Sequence, residues 1–183
     1  MLEQDFIVQV ARLEERQKNH LQMLEIFARL KSLGIKEKLY IIGEGPSRPK
    51  LEEKIKELQL ENDCLLLGYR ENPYPFMKAA KLFIHTANFE GLGMVLIESM
   101  ICGTPVVAMD CPTGPSEILG DGKYGALVPL HDSETFVKAT FDLLNNEALR
   151  QRYIDLLPEA VEAFRYENIQ QKFFEILAEN KAE

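Results

Sequence analysis

Short apolar runs alternate along the chain with longer segments in which apolar residues recur every three or four positions. The short runs are rich in β-branched and aromatic residues and predict buried strands, whereas the longer segments have the period of amphipathic helices. This alternation is typical of βαβ units, in which helices cover a parallel sheet. The predicted strands are Phe6–Val10, Lys38–Ile42, Cys64–Leu67, Leu82–His85, Pro105–Ala108 and Gly125–Val128.

The segments between these strands predict helices with one apolar face each. The first helix follows Asn19 as a candidate N-cap and ends before Gly34, which suits the position after a helix C-terminus. The second has Pro46 in its first turn and an apolar face that begins at Leu51. The later predicted helices are Asn72–Ala80, Met94–Cys102, Asp132–Asn145, Glu147–Phe164 and Tyr166–Leu177.

No internal repeat, low-complexity tract or interior linker interrupts this pattern. Residues 1–183 are therefore predicted to form a single α/β domain, a Rossmann-like parallel sheet with flanking helices and a helical C-terminal extension. The last helix has an apolar stripe that includes Tyr166, Ile169, Phe173 and Leu177. We expect this stripe to pack on its own domain or on a further lobe of the full-length protein, and docking on a partner is the alternative.

Composition and charge exclude several classes of protein. The 183 residues include 21 Lys and Arg against 29 Asp and Glu, and the net charge of -8 disfavours electrostatic binding to nucleic acid. No apolar stretch is long enough to predict a transmembrane segment. Cys64, Cys102 and Cys111 form no CxxC pair and are odd in number, so neither a zinc site nor a disulfide framework is indicated. This cysteine usage favours a reducing cytosol.

The loop after the first predicted strand carries two cations next to a helix N-terminus. Ligands of open α/β sheets bind at the carboxyl ends of the strands, so this loop is a candidate site. Arg12 supplies a planar fork of donors and Lys18 a mobile ammonium, which together suit a diphosphate. The alternative is a solvated loop in which both cations pair with Glu14 and Glu15.

The sequence Gly43-Glu44-Gly45-Pro46 after the second strand partly imitates the GxGxxG dinucleotide fingerprint. Arg48 stands where the third glycine belongs, and the motif does not open the sheet. NAD binding is therefore disfavoured. We interpret the motif as a tight turn that needs a flexible backbone and can still line a cleft.

The region around residue 90 has two carboxylates on either side of a glycine loop at a helix start. Glu90 precedes Gly91 and Gly93, and Glu98 follows in the second turn of the predicted helix. Carboxylates accept hydrogen bonds from vicinal sugar hydroxyls, and glycines let main-chain N–H groups approach an anion. The alternatives are a loop cap for Glu90 and a favourable helix-dipole charge for Glu98.

Together these motifs resemble the donor-binding region of retaining family 4 glycosyltransferases of the GT-B fold. The resemblance rests on Glu90 and Glu98 within FEGLGMVLIESMICGTPVVA, on DCPTGPSEIL from Asp110, on ARLEERQKN and on IIGEGP, and it covers about residues 6–128. Two features differ from the family. Lys18 is one residue further from Arg12 than in many members, and HTAN precedes FEG where a serine-proline-containing segment is commoner.

The resemblance implies a role for each matched position. Arg12 and Lys18 would bind the donor diphosphate and stabilise it as leaving group, and Glu90 would contact hydroxyls of the transferred sugar, so these three are the expected catalytic residues. Glu98 would hold the ribose hydroxyls. The other expected donor-binding residues are Gly43, Gly45, Tyr69, Arg70, Gly91, Leu92, Gly93 and Leu96.

The resemblance also implies an activity. The chain would be part of a hexosyltransferase that moves a sugar from a nucleotide diphosphate sugar to a glycan or lipid-linked acceptor. The DCPTGPSEIL stretch favours a UDP-hexose donor and synthesis of surface polysaccharide or lipopolysaccharide. The resemblance implies that no metal and no other cofactor is needed, and the absence of a DxD triplet and of metal-ligand spacing among the three histidines agrees with this.

A complete enzyme of this family has a second, N-terminal lobe that binds the acceptor. The chain has room for one lobe, so we expect it to be the donor-binding lobe, without the acceptor lobe and inactive or weakly active by itself. The alternative is a non-catalytic sugar-nucleotide-binding or regulatory module. The resemblance implies a cytoplasmic location and is compatible with peripheral association of the full-length enzyme with the inner face of the cytoplasmic membrane.

Overall fold

Six strands pair into one parallel sheet whose two faces are covered by helices. The computed structural model describes residues 5–179. The strands are β1 (Phe6–Val10), β2 (Lys38–Ile42), β3 (Cys64–Gly68), β4 (Leu82–His85), β5 (Val106–Asp110) and β6 (Ala126–Pro129). The helices in this range are α1 (Glu15–Lys18), α2 (His20–Ser32), α3 (Arg48–Glu57), α4 (Tyr74–Ala79), α5 (Met94–Ile101), α6 (Pro115–Ile118), α7 (Ser133–Asn145), α8 (Glu147–Glu162) and α9 (Tyr166–Glu179).

The order of the strands places a crevice at the middle of the sheet. The order is β3-β2-β1-β4-β5-β6, and every neighbouring pair is parallel. The chain therefore builds one half of the sheet outward from β1 and the other half outward from β4. Loops diverge at such a switch point and leave room for a ligand at the carboxyl ends of the strands. This is the Rossmann-like arrangement that the sequence predicts.

Side chains of the strands alternate between two apolar cores. On β1, Ile7 lies in the core formed with α2, α3 and α7, whereas Phe6 and Val8 lie in the core formed with α4, α5 and α8. Both faces of the sheet are covered, so a strand needs apolar residues at nearly every position. This explains why the strand segments are continuous apolar runs rather than alternating ones.

One predicted helix start is wrong, one predicted capping hydrogen bond is not made, and helix α1 is not predicted. Helix α1 is a single turn in a segment predicted as loop. Asn19 precedes α2, but it has a left-handed φ of 51° and makes no capping hydrogen bond with its side chain, which donates to Asn88 instead. Helix α3 begins at Arg48, so the proline in its first turn is Pro49, and Pro46 lies in the preceding turn.

The apolar stripe of α9 does not lie against the sheet. Tyr166, Ile169 and Phe173 are more than half exposed, and Leu177 is 43% exposed. The stripe therefore does not pack on its own domain within the described residues, and its packing on a lobe outside this chain stays a prediction. Although α9 is apolar along one side, no helix within residues 5–179 combines the length and the apolar content that a membrane span requires.

Candidate active site

A cavity of about 740 Å³ opens at the carboxyl ends of the strands. Its walls come from the loops after β1, β2, β3 and β4 and from the first turns of α5. Most of the predicted site residues line it: Arg12, Lys18, Gly43, Tyr69, Arg70, Glu90, Gly91, Leu92, Gly93 and Glu98. The structure therefore brings together residues from four loops that are far apart in the sequence.

Two predicted donor-binding residues are not among those that line the cavity. Leu96 is completely buried in the core on the α5 side of the sheet. Gly45 lies against the backbone of Leu13, and a Cβ atom on Gly45 would approach the Leu13 carbonyl oxygen to 2.4 Å. These positions indicate that Leu96 anchors α5 in the apolar core. They also indicate that Gly45 permits close packing of two loops.

The cavity also includes residues that the sequence analysis did not select. Glu44, Glu71 and Met94 line it together with predicted positions. Glu44 stands between the two glycines of the GEGP turn, and Glu71 directly follows Arg70. Adjacency to a predicted loop position is the signal that could have identified them.

The loop after β1 is held against the turn after β2 by their backbones. The Ala11 N–H donates to the carbonyl oxygen of Ile42 at the end of β2, and the Leu13 N–H donates to that of Glu44 in the turn, both at 3.0 Å. Gly43 has a φ of 146°, and a Cβ atom there would lie 1.9 Å from the Ala11 carbonyl oxygen. Glycine is therefore required for this approach, which fixes the backbone position of Arg12 at the cavity.

Two guanidinium groups at the cavity lack a carboxylate partner within the described part of the chain. They belong to Arg12 and Arg70. Arg48, by contrast, pairs with Glu44 at 2.7 Å and with Glu52 at 2.9 Å along α3. Planar guanidinium groups that face a cavity without an internal partner are suited to bind phosphate oxygens.

An ion pair joins α1 to the loop after β4. Lys18 Nζ lies 2.5 Å from Glu90 Oε1, and the side chains are 13% and 7% exposed. Glu14 and Glu15 instead accept backbone N–H groups of α1 and α2. Among the described residues, the predicted alternative in which they pair with Arg12 and Lys18 is not found.

Glu90 is an ionised carboxylate at neutral pH. Burial alone would raise its pKa, but the contacts with His85 and Lys18 outweigh burial, so the pKa of Glu90 lies below its usual value. An ionised carboxylate can only accept hydrogen bonds. Glu90 is therefore suited to bind hydroxyl groups of a ligand.

Hydrogen bonds tie the loop after β4 to α1. The Asn88 backbone N–H donates to the Gln17 carbonyl oxygen at 2.7 Å, and the Asn88 side-chain amide donates to the Arg16 carbonyl oxygen at 2.9 Å. The Thr86 hydroxyl donates to the Lys18 carbonyl oxygen at 3.1 Å. The backbone segments that carry Lys18 and Glu90 are thus fixed relative to one another.

Helix α5 starts at the cavity. Gly93 precedes its first residue with a left-handed φ of 83°, and both Gly93 and Met94 line the cavity. The first N–H groups of a helix and the positive end of its dipole favour a bound anion. Glu98 lies one turn further along α5 and lines the same cavity. The first turn of α5, which is suited to bind an anion, and the Glu98 carboxylate, which can accept hydrogen bonds from hydroxyl groups, therefore line the same cavity.

Two of the three histidines are completely buried near the site, whereas His131 is exposed. Within the described residues, neither ring nitrogen of His20 has a hydrogen-bond partner, and its Nδ1 lies 4.0 Å from the Glu15 carboxylate. Burial lowers the pKa of His20 to about 4, with smaller contributions from the neighbouring Lys18 and His85 side chains. No group of three His, Cys, Asp or Glu side chains in residues 5–179 is placed to hold a metal ion.

The buried His20 predicts a specific sensitivity to acid. Its pKa is 6.5 in an unfolded chain and about 4 in the folded one, so between these values the unfolded state binds a proton that the folded state does not. The contribution of neutral His20 to the free energy of unfolding is therefore fully present above pH 6.5. As the pH falls to 4, the free energy of unfolding decreases by roughly 3 kcal/mol. We expect His20→Leu to remove this loss, as measured by urea unfolding at several pH values.

The exposed histidine provides the control for this measurement. His131→Asn keeps a residue that tolerates the left-handed φ of 65° and is expected to follow the wild type at each pH. A difference in unfolding free energy between His20→Leu and wild type that stays constant from pH 7 to pH 4 would contradict the prediction.

The open parallel sheet, with a charged cavity at its switch point, places the protein among Rossmann-like ligand-binding domains. Comparison with protein families makes the assignment specific. The chain belongs to the family described as glycosyl transferases group 1, whose model matches residues 2–156. Its architecture is that of a GT-B glycosyltransferase domain.

Two curated proteins and one solved structure illustrate the similarity. The N-acetylgalactosamine-N,N'-diacetylbacillosaminyl-diphospho-undecaprenol 4-alpha-N-acetylgalactosaminyltransferase of Campylobacter jejuni is 37% identical over 163 residues, which are 89% of this chain and 44% of that protein. The poly(ribitol-phosphate) alpha-N-acetylglucosaminyltransferase of Staphylococcus aureus is 32% identical over 140 residues, covering 76% of this chain and 28% of that protein. A mutant of S. aureus TarM in complex with fondaparinux, alpha-GlcNAc-glycerol and UDP superposes with a TM-score of 0.87 at 28% identity, covering 94% of this chain and 35% of that one. The chain thus spans less than half the length of each of these relatives.

Proposed function

We propose that this chain is the C-terminal, donor-binding lobe of a retaining family 4 glycosyltransferase. The observation that carries the proposal is the composition of one cavity, which combines the Lys18–Glu90 pair, Glu98 and Arg12, whose guanidinium has no carboxylate partner within residues 5–179. Cations for a diphosphate and carboxylates for hydroxyl groups are the two chemistries that a nucleotide sugar requires.

The similar proteins support the donor and acceptor classes of this proposal. The solved TarM structure holds UDP, which supports a UDP-sugar as donor. The names of the two curated relatives describe transfer to an undecaprenol-linked saccharide and to poly(ribitol-phosphate). We infer that the full-length enzyme transfers a hexose from UDP to a glycan or lipid-linked acceptor of a surface polysaccharide or lipopolysaccharide.

Each part of the donor has a group of matching chemistry in the cavity. Arg12, Lys18 and the N-terminus of α5 bind the diphosphate. Glu98 accepts hydrogen bonds from the ribose, and Glu90 accepts them from the transferred sugar. The loop of Tyr69 and Arg70 after β3 presents its backbone to the base.

The reaction breaks the bond between the anomeric carbon and a diphosphate oxygen. Positive charge develops on the sugar ring and negative charge on the departing phosphate, so Arg12 and Lys18 stabilise the group that gains charge. Preorganised donors at such a position contribute roughly 3–4 kcal/mol each. The proposal assigns this step to the two side chains and needs no metal ion for it. The acceptor binds to a second lobe of the full-length enzyme, on the cytoplasmic side of the membrane.

Calorimetry with the whole chain tests the assignment of Arg12. We expect UDP and UDP-hexoses to bind and Arg12→Ala to weaken UDP binding about tenfold to a hundredfold, because a charge-assisted hydrogen bond to phosphate is lost. Arg16→Ala is the matched control, since Arg16 is exposed on α1 and is not a cavity residue. GDP, ADP and NAD complete the series.

Two outcomes of this series would contradict the proposal at different levels. Binding of NAD without binding of any nucleotide sugar would overturn the glycosyltransferase function. Unchanged UDP binding by Arg12→Ala would overturn the phosphate assignment of Arg12 and leave the function standing.

A further inference from the structure

We propose that His85 is a positioning residue that orients the Glu90 carboxylate toward the transferred sugar. The inference rests on the proposed function and deepens it, because it concerns recognition of the sugar by the same cavity. His85 ends β4 and begins the HTAN segment. None of the residues to which the proposed function gives a role lies in this segment.

The contacts of Glu90 differ between its two carboxylate oxygens. Lys18 Nζ at 2.5 Å and His85 Nε2 at 3.0 Å both approach Oε1. The recorded contact of Oε2 is the Gln17 side-chain amide at 3.4 Å, which is long for a hydrogen bond. Oε1 is thus anchored by the protein, whereas Oε2 retains the capacity to accept a hydrogen bond from a ligand hydroxyl.

The position of His85 is otherwise apolar. The three preceding residues of β4 are buried hydrophobic residues, and His85 itself is completely buried. Within the described residues, Nδ1 has no hydrogen-bond partner. Its Nε2 lies 3.0 Å from Glu90 Oε1, and this contact is not a hydrogen bond by its geometry, so the polarity of the ring provides the attraction. A polar ring buried in this way loses hydration, and among the described residues the Glu90 carboxylate is the charged group in contact with it.

Lys18 and His85 contact the same oxygen but serve different ligand groups. Lys18 is 13% exposed and lines the cavity, where the proposed function assigns it to the diphosphate. Its ammonium is therefore shared between phosphate and carboxylate. His85 does not line the cavity, and among the described residues Glu90 is the carboxylate that its ring contacts. His85 therefore keeps the Glu90 carboxylate in place when the donor diphosphate binds Lys18.

This arrangement predicts that His85 affects recognition of the sugar and leaves recognition of the nucleotide unchanged. We expect His85→Leu to raise the Kd for the best-bound UDP-hexose about tenfold and to change the Kd for UDP less than twofold, in calorimetry with the whole chain. His85→Gln keeps an N–H donor and is expected to restore most of the loss. His131→Asn is the control, because His131 is exposed and does not line the cavity.

Isotope labelling of the histidine rings tests the same inference without a substitution, in case His85→Leu does not fold. We expect UDP-hexose to shift the NMR signals of the His85 ring more than UDP does, and both ligands to leave the His131 signals nearly unchanged. Equal effects of the two ligands on the His85 ring would overturn the inference.

The outcomes separate this inference from the proposed function. A His85→Leu variant whose Kd values for UDP and UDP-hexose keep the wild-type ratio would overturn the positioning role alone. A wild-type chain that binds no nucleotide sugar would overturn the proposed function and the role of His85 with it.

Discussion

Replacing Gly43 with alanine is expected to lower the free energy of unfolding by ~4 kcal/mol and to displace the loop that carries Arg12. The added Cβ atom would lie 1.9 Å from the Ala11 carbonyl oxygen, and the φ of 146° is one that L-residues rarely adopt. The neighbour is backbone rather than a flexible side chain, so the clash cannot be relieved by a change of rotamer. Backbone strain and overpacking each contribute about 1–3 kcal/mol, which places this variant at the upper end of single substitutions.

Urea unfolding of Gly43→Ala measures the stability effect, and UDP titration of the folded fraction measures the effect on the site. Gly91→Ala is the matched control from the same cavity, because a Cβ atom on Gly91 meets nothing within 4 Å. We expect Gly91→Ala to unfold within about 0.5 kcal/mol of wild type. Equal stabilities of the two variants would show that the loops do not approach as the structure describes.

Much of the fold could be predicted from the sequence because both faces of the sheet are covered. A strand such as β1 is apolar at nearly every position, and this run differs in length and residue type from the helical segments around it. The order of the motifs along the chain then places the loops at one edge of a parallel sheet. The convergence of Arg12, Lys18, Glu90 and Glu98 on one cavity follows from that topology.

Helix α1 could not be predicted, because its four residues have no apolar period. Its sequence is ERQK, and none of its residues is buried. Its stability comes from the Glu14 cap and from hydrogen bonds with Ser47 and Asn88, which lie far away in the sequence. The Lys18–Glu90 pair likewise joins residues 72 positions apart, and charge pattern alone favoured a local pairing with Glu14 or Glu15.

A sequence pattern also does not say what a residue contacts, as the apolar stripe of α9 and the residues Leu96 and Gly45 show. A helical period of apolar residues indicates a face, but it does not say what covers that face, and the α9 stripe is exposed in this chain. Resemblance assigned Leu96 and Gly45 to the donor, yet Leu96 fills the core and Gly45 accommodates the Leu13 backbone. A motif position can thus be required for packing next to a site rather than for contact with its ligand.

Lys18→Ala is expected to weaken binding of a UDP-hexose on the order of a thousandfold, about 4 kcal/mol. The substitution removes the cation that the proposed function assigns to the diphosphate. It also leaves Glu90, whose side chain is 7% exposed, without its nearest counter-charge. The bound diphosphate would then lie beside an uncompensated carboxylate, so attraction is replaced by repulsion. Lys54→Ala is the control, because Lys54 pairs with Glu25 and Glu57 away from the cavity.

A double-mutant cycle separates the two contributions of Lys18. Glu90→Gln removes the negative charge and keeps an amide of similar size, so Lys18→Ala in this background loses only the contact with phosphate. We expect the double variant to bind UDP-hexose about thirtyfold more tightly than the sum of the two single effects predicts, a coupling of about 2 kcal/mol. Calorimetric titration of the four proteins measures the coupling. Strict additivity would mean that Lys18 and Glu90 act on the donor independently, and it would contradict the ion pair as the organising contact of the cavity.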